Sequence, residues 1–345
     1  MKISDIGEFG LIDRIGRTAS RNAKGAPIGI GDDAAALVLS PSSTLLATTD
    51  MLIEGVHFDL ETTDLRSLGW KAAAVNLSDI AAMGGVPRFC LTALGIPPSL
   101  SVEDISEFYR GVNACLRKFG TVLVGGDTCA SKQGFVITVT VLGEAARKKI
   151  VTRSGARPGD MIFVTGSLGD SAAGLELLSS GSGVRGQGSG KTRNSGTRRL
   201  IEKHLRPVPR VNEGGKLSAA GIASAMIDVS DGLSSDLGHL CRLGGVGAEV
   251  FARRIPLSKE LRSAKGLKKT PVEYALSGGE DYELLFTVPP GRIKKLKALP
   301  LVATEIGVIT IDRSIRLIDE LGQGSPLRAA GYDHFRSGRR RGPVR

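Results

Sequence analysis

Residues 64–83, DLRSLGWKAAAVNLSDIAAM, set a carboxylate inside an Ala-rich apolar run. The run predicts a helix, stopped by Gly84, Gly85 and Pro87. A lone carboxylate buried in such a helix is costly without a partner. A fold for this chain therefore has to bring something to Asp79.

Asp79 is one of a series. An acid beside glycine or hydroxyl residues, at an expected strand exit or helix entrance, recurs six times: GDD (Asp32, Asp33), TTD (Thr48, Thr49, Asp50), NLSD (Asp79), GGDT (Asp127), DVSDG (Asp228, Asp231) and GGED (Glu280, Asp281). Any one of these reads most simply as a turn or a helix cap. Together they exceed what turns require. If several converge, mutual repulsion raises their pKa values unless cations share the site. Carboxylates and hydroxyls are hard oxygen donors suited to Mg²⁺, which keeps few protein ligands and bridges to substrate phosphates. Glycines let backbone N–H groups approach those phosphates. The chemistry implied is Mg²⁺-dependent handling of a nucleoside triphosphate without a P-loop.

The run GQGSGKT imitates a P-loop and fails the spacing test. Counting back from Gly190-Lys191-Thr192, the first glycine belongs at position 185, which is Arg185, and no apolar strand precedes it. Neither SGGED nor VGGD is a G-x-G-x-x-G fingerprint, so a dinucleotide fold has no support.

At 345 residues two domains are expected. Apolar runs are strand-sized, far short of a bilayer span. The first twenty residues carry Asp5, Glu8 and Asp13 and lack an apolar signal-peptide core. Cys90, Cys115, Cys129 and Cys241 are scattered without a C-x-x-C, which favours reduced thiols in a cytoplasm. The formal net charge of +11 gathers in residues 191–210 and 336–345. With an aromatic share of only 4% and no aromatic–basic interleaving, it reads as solvated loops or a field for anionic substrates rather than a nucleic-acid surface.

The pattern predicts an α+β chain of the α/β sandwich type. A helix at 4–16 precedes strands ALVLS and TLLATTDMLI, the Ala-rich helix, strand FCLTALGIP, a helix at 101–118 with capping box Ser101-x-x-Asp104, and strands TVLVGGD and FVITVTVLGEA. This N-terminal half, residues 1–150, reads as a helix-decorated mixed or antiparallel sheet. RSGARPGD (153–160) leads into a C-terminal α/β domain over 151–335. Its elements are strand MIFVTG, helix DSAAGLELL, a Gly/Ser-rich stretch at 179–197 expected to be mobile, helix LIEKHLRP, a helix near 211–221, strand SAMIDVS, helix GLSSDLGHLC, strands AEVFARRI and YELLFTV, helix RIKKLKAL, and strands ATEIGVIT and IRLID. Residues 336–345 form a basic tail.

GIGDDAA, TTDMLIEGVHF, KAAAVNLSDIAAMG, GGDT, VTRSGARPGD, VTGSLGDSAAGL, HLRPVPR, IDVSDGLSSDLGH, LSGGEDYELLFTVP and GYDHF, in this order, resemble the thiamine-monophosphate kinase family. That family belongs to the superfamily of aminoimidazole ribonucleotide synthetase and selenophosphate synthetase, and the resemblance covers roughly residues 5–178 and 198–335. It implies two domains, with the N-terminal halves of two subunits pairing into a barrel-like dimer core. ATP would lie in the cleft, wrapped by several Mg²⁺ ions. Asp33, Thr48, Thr49, Asp50, Asp79, Asp127, Asp228 and Asp231 match metal positions. Gly126, Asp127, Arg153 and Ser230 match ATP contacts, and His57 and Glu280 match contacts to thiamine phosphate. Asp50, Asp127 and Arg153 are the expected catalytic centre. The implied reaction is direct in-line transfer of the ATP γ-phosphate to thiamine monophosphate, the last step to thiamine diphosphate, in a cytoplasmic homodimer with no membrane role.

One position departs from the family pattern. An aromatic, commonly Trp, stands two residues before the Gly of GYDHF, and here that acceptor-site position is Ala329. The loss of stacking amounts to about 1–3 kcal/mol, by analogy with base–aromatic contacts. Two other functions remain open from sequence: a synthetase-type relative that uses ATP to activate an amide or selenide, and a basic nucleic-acid binder retaining the fold. MKISDIGEFG has no Cys, and its single Lys2 does not make the reactive Cys/Lys segment the former predicts.

Overall fold

The computed structural model of the chain describes residues 35–38, 42–182 and 195–328. The expected helix at 4–16, the GIGDD turn with Asp32 and Asp33, the P-loop-like run, Ala329 and the basic tail lie outside the described residues.

The first sheet comprises β1 (Ala35–Val38), β2 (Ser43–Ile53), β3 (Val86–Ile96), β4 (Val122–Ala130) and β5 (Val136–Ala146), in the order β1-β2-β5-β3-β4. All pairs are antiparallel except β3 with β4, so the sheet is mixed, as the sequence predicts. Helices α1 (Leu65–Ala82) and α2 (Val102–Lys118) cover one face. Asp64 caps α1 by accepting the Ser67 N–H at 2.8 Å. Ser101 and Asp104 close the expected capping box on α2, each side chain accepting from the other's backbone N–H. The two helices cross in backbone contact. A Cβ on Gly69 would meet the Phe108 carbonyl oxygen at 2.0 Å, and one on Gly111 would meet that of Arg66 at 1.9 Å. Only glycine fits on either side of this crossing.

The second sheet takes in β6 (Met161–Thr165), β7 (Ala225–Asp228), β8 (Gly247–Phe251), β9 (Leu284–Val288), β10 (Ala303–Thr310), β11 (Ile315–Ile318) and β12 (Gly324–Pro326), ordered β12-β11-β8-β10-β6-β9-β7. Only β8 and β11 are parallel. Its helices are α3 (Asp170–Leu177), α4 (Ser195–Leu205), α5 (Val211–Ala219), α6 (Leu233–Gly244), α7 (Lys259–Ser263), α8 (Pro271–Ser277) and α9 (Ile293–Lys297).

The Gly/Ser-rich stretch is shorter than expected, because helix enters it from both ends. A π-turn continues α3 through Ser182, and the Ser179 and Ser180 hydroxyls donate back to the Leu175 and Leu177 carbonyls. At the other end α4 already starts at Ser195, held by buried Leu200, Ile201 and Leu205. Packing on α3 there outweighs the poor helix propensity of Ser-Gly-Thr.

Helix α1 joins the two halves. It is buried on nearly every side because the first sheet, α2, α5 and β7 all pack on it. Its last residue, Ala82, belongs to a core cluster with Phe163, Met226 and Phe286 of the second half. Conversely Tyr282 and Val211 join the core of the first. Among the described residues no helix covers the outer face of the first sheet, and Met51, Phe89 and Leu91 stand exposed on it (53%, 48% and 37%). No helix among the described residues is long and apolar enough to cross a membrane.

Candidate active site

Strand alternation sorts the TTD motif. Thr48 and Asp50 face α1, where the Thr48 hydroxyl donates to Asp79 Oδ2 at 2.5 Å. This is the partner that a carboxylate in α1 requires. Thr49 points the other way, its hydroxyl at 2.9 Å from that of Thr140 and 3.2 Å from the Val139 carbonyl. The structure therefore brings Thr48 and Asp50 to Asp79 and turns the Thr49 side chain away. Burial pushes the Asp50 carboxyl up to about 6.

The neighbouring residue of α1, Ser78, donates to Asp228 Oδ2 at 2.6 Å, at the exit of β7. Consecutive residues of one helix thus hold acids from both halves of the chain. The Tyr282 hydroxyl sits among the same groups. Burial raises its pKa well above the ordinary tyrosine value, reinforced by the negative charges of Glu280, Asp50, Asp228 and Asp79.

Beyond Asp228 the chain turns through Ser230 and Asp231 into α6. Asp236, on the first turn, accepts from the Asp231 and Gly232 backbone N–H groups at 3.1 and 3.0 Å. Burial, then Asp231 and Asp228, drive its carboxyl well above the usual range, with the Arg153 guanidinium opposing. Arg153 opens a 3₁₀ turn (Arg153–Gly155) packed on α6. Ligand atoms of Asp231, Asp236 and His239 lie within 4.8 Å of one another. Asp236 and His239 were not singled out from the sequence. Their signal is the i, i+3 spacing in SSDLGH, which turns both toward the DVSDG loop.

The stretch SGGEDYE between α8 and β9 divides its three acids among three tasks. Glu280 accepts from the Lys71 ammonium at 2.9 Å and lies 3.1 Å from His204 Nδ1. Asp281 caps α3, accepting from the Gly169 and Ser171 N–H groups at 2.6 and 3.2 Å. Glu283 is gripped by Arg210 through two nitrogens and accepts the Thr165 hydroxyl at 2.6 Å. Glu280 and Tyr282 both hold left-handed backbone, φ 65° and 51°. The Glu280 N–H donates to the Ser230 carbonyl at 2.7 Å, binding this loop to the DVSDG turn.

His57 follows β2 by one tight turn, and its Nδ1 accepts the Ile53 N–H at 3.0 Å. A neutral ring held this way carries its proton on Nε2. Gly126 and Asp127 lie elsewhere, on edge strand β4. Pairing registers align Asp50, Val139, Thr92 and Gly126 in one row across the sheet. Asp127 occupies the next row with Met51, Thr138 and Ala93, and is exposed on the outer face. Three strand spacings separate it from Asp50, roughly 14 Å at about 4.8 Å each. Within one chain the expected Asp50–Asp127 pair is not brought together. Thr92 in turn bonds the Tyr109 hydroxyl at 3.0 Å, and Tyr109 lines a cavity of 640 Å³ with Ile96, Leu100, Ile105, Arg110 and Arg117.

The donor set fits magnesium. Asp50, Asp79 and Asp228 present hard carboxylate oxygens, and the charges of all three act on Tyr282.

A family model described as AIR synthase related protein, N-terminal domain, matches residues 31–145, and the corresponding C-terminal domain matches residues 157–320. The thiamine-monophosphate kinase of Aquifex aeolicus (strain VF5) is 39% identical over 336 residues, 97% of this chain and 100% of its own. That of Bacillus subtilis (strain 168) is 36% identical over 334 residues, 95% of this chain and 99% of its own. A solved structure of AaThiL complexed with AMPPCP and TMP superposes with a TM-score of 0.83 at 39% identity, covering 97% of this chain and 99% of that one. The hydrogenase maturation protein HypE in complex with ATP gives a TM-score of 0.65 at 20% identity, a likeness of fold alone.

Proposed function

The chain belongs to the AIR synthase-related family, among its thiamine-monophosphate kinases, and on that premise we propose how its own residues perform the reaction. It catalyses ATP-dependent phosphorylation of thiamine monophosphate to thiamine diphosphate. The observation that carries the assignment of roles is the convergence of Asp50, Asp79 and Asp228 at one helix, α1.

The acceptor is a phosphate monoester whose second pKa is about 6, so its attacking oxygen is already ionised near neutrality. No general base is required. The acceptor oxygen forms its bond to the γ-phosphorus as the bond to the ADP oxygen breaks, and no phosphoenzyme intervenes. Asp50, Asp79, Asp228 and Asp231, with the Thr48 hydroxyl and with Asp33 and Thr49, which join this set only through the resemblance to the family pattern, would hold magnesium ions. When bound, these supply the positive charge that lets two anionic reactants approach. Arg153 adds charge at the DVSDG turn, where Ser230 meets the nucleotide. His57 donates from Nε2 to the acceptor phosphate, and Glu280 receives the acceptor's ring system. The cavity beside Tyr109 takes the adenine; the Tyr109 hydroxyl bonds Thr92, the strand partner of Gly126.

Asp127 reaches a metal site through a second copy. The exposed outer face of the first sheet is the surface by which two copies pair as a cytoplasmic homodimer. Such pairing brings one subunit's Asp127 toward the other's Asp50, which supports placing the cleft between subunits. The test is product formation: ATP, magnesium and thiamine monophosphate yield thiamine diphosphate. Thiamine, whose alcohol is not ionised, stays unphosphorylated. Absence of thiamine diphosphate overturns the assignment.

A further inference from the structure

Lys71 is the one buried Lys or Arg of α1, only 3% exposed, on a helix whose other buried residues are apolar or uncharged polar. A buried ammonium is tolerated only when paired and hydrogen-bonded. Its pairing is a closed triangle across the two halves of the chain. Lys71 Nζ lies 2.9 Å from Glu280 Oε2 and 3.4 Å from His204 Nε2, while His204 Nδ1 lies 3.1 Å from the same Glu280 oxygen. An ammonium only donates, so Nε2 must accept and the histidine proton resides on Nδ1, where it is donated to Glu280. Ser171 Oγ, 3.1 Å from Nδ1, braces the ring from α3.

Both contacts fall on Oε2. Glu280 Oε1 accepts no hydrogen bond from the described residues, and the side chain is 29% exposed. The backbone at Glu280 is left-handed, a conformation that a non-glycine residue keeps only when its surroundings enforce it.

We propose that Lys71, with His204, is a positioning residue for the acceptor. It fixes Glu280 so that Oε1 faces the cleft as a charge-compensated hydrogen-bond acceptor, selecting an amino group on the acceptor's pyrimidine rather than its cationic ring. This rests on the assignment of Glu280 to the acceptor site. Because the ammonium neutralises the carboxylate, Glu280 offers direction more than net charge. Burial works against the ionised carboxylate, and the Lys71 ammonium and the His204 ring overcome it, holding Glu280 below the usual range. Burial and Lys71 together keep His204 neutral, in the tautomer that the triangle requires.

The experiment is steady-state kinetics on Lys71→Met, His204→Ala and Glu280→Gln, with thermal midpoints measured in parallel. The expected result is a KM for thiamine monophosphate raised about tenfold or more in Lys71→Met and several-fold in His204→Ala, with KM for ATP within about twofold. The double variant Lys71→Met/Glu280→Gln should be no worse than the weaker single, because both act through one contact. Equal rises in both KM values, or a lowered midpoint with unchanged KM, make Lys71 merely structural and overturn the inference. Should Lys71→Met fail to fold, His204→Ala decides by the same split. If Glu280→Gln leaves KM for thiamine monophosphate unchanged, the assignment of Glu280 falls, and the inference with it. A rise in Glu280→Gln without one in Lys71→Met or His204→Ala overturns the inference alone.

Discussion

The Ser78 hydroxyl, on the helix that covers the first sheet, lies 2.6 Å from the Asp228 carboxylate at the end of a strand of the second. That bond makes the site a property of how the two halves meet. Replacing Ser78 with Ala leaves Asp228, which is 2% exposed, without this donor. The expected cost is about 1–3 kcal/mol of stability. Differential scanning calorimetry checks it, and a neutral result would show that Asp228 is held by other groups.

Asp50 predicts a trade between stability and activity. Its carboxyl titrates near 6 in the folded chain against an ordinary 3.8. With the folded value above the unfolded one, the group favours folding at low pH. This advantage is lost as pH rises through 6, where the folded state must carry a desolvated charge. Asp50→Asn should therefore stabilise magnesium-free protein at pH 7–8 by on the order of 1–2 kcal/mol, seen as a raised melting midpoint. The difference should vanish near pH 4. In the same way, magnesium binding must displace the Asp50 proton below pH 6, so affinity for the ion should fall as pH drops. Isothermal titration calorimetry at pH 5.5 and 7.5 measures this.

The sequence makes some of this plain and conceals the rest. Helix α1 announces itself through its alanines, and Asp79 through the cost of burying it; the partner, Thr48, follows from strand alternation in β2. Alternation also explains why Thr49 faces away, which a motif read as a string does not disclose. The three acids of SGGEDYE look alike in sequence, yet one bonds Lys71, one caps a helix and one binds Arg210. Those roles depend on long-range contacts that no local pattern encodes. The pattern predicts no element over residues 258–277, although Thr270-Pro271 with Glu273 is a capping box with proline at the first helical position. The edges of the Gly/Ser-rich stretch are helical because α3 and α4 pack together there.

The proposed dimer makes a sharp prediction for Asp127. Asp50→Ala and Asp127→Ala are each expected to be inactive. When they are mixed so that subunits exchange, half of the dimers are hybrids, each with one intact site. Activity should return to about a quarter of wild type by this counting. No recovery, with exchange verified by differential tagging, would place Asp127 in the same chain's site or outside it.

The resemblance to the family implies an aromatic at the position that is Ala329 in this chain. Ala329→Trp should lower KM for thiamine monophosphate by about tenfold, a gain within the 1–3 kcal/mol of a stacking contact. KM for ATP should not move.

The central claim is that clustered carboxylates gather magnesium for direct phosphoryl transfer. Initial rates of thiamine diphosphate formation across a magnesium titration, for wild type and Asp50→Asn at pH 7.5, test it most directly. Wild type should show no product without magnesium and saturate as it is added. Asp50→Asn should stay at least about a hundredfold slower at every concentration, as expected when a preorganised charge site is dismantled. Wild-type rates from Asp50→Asn, or product formed without a divalent ion, would contradict the account.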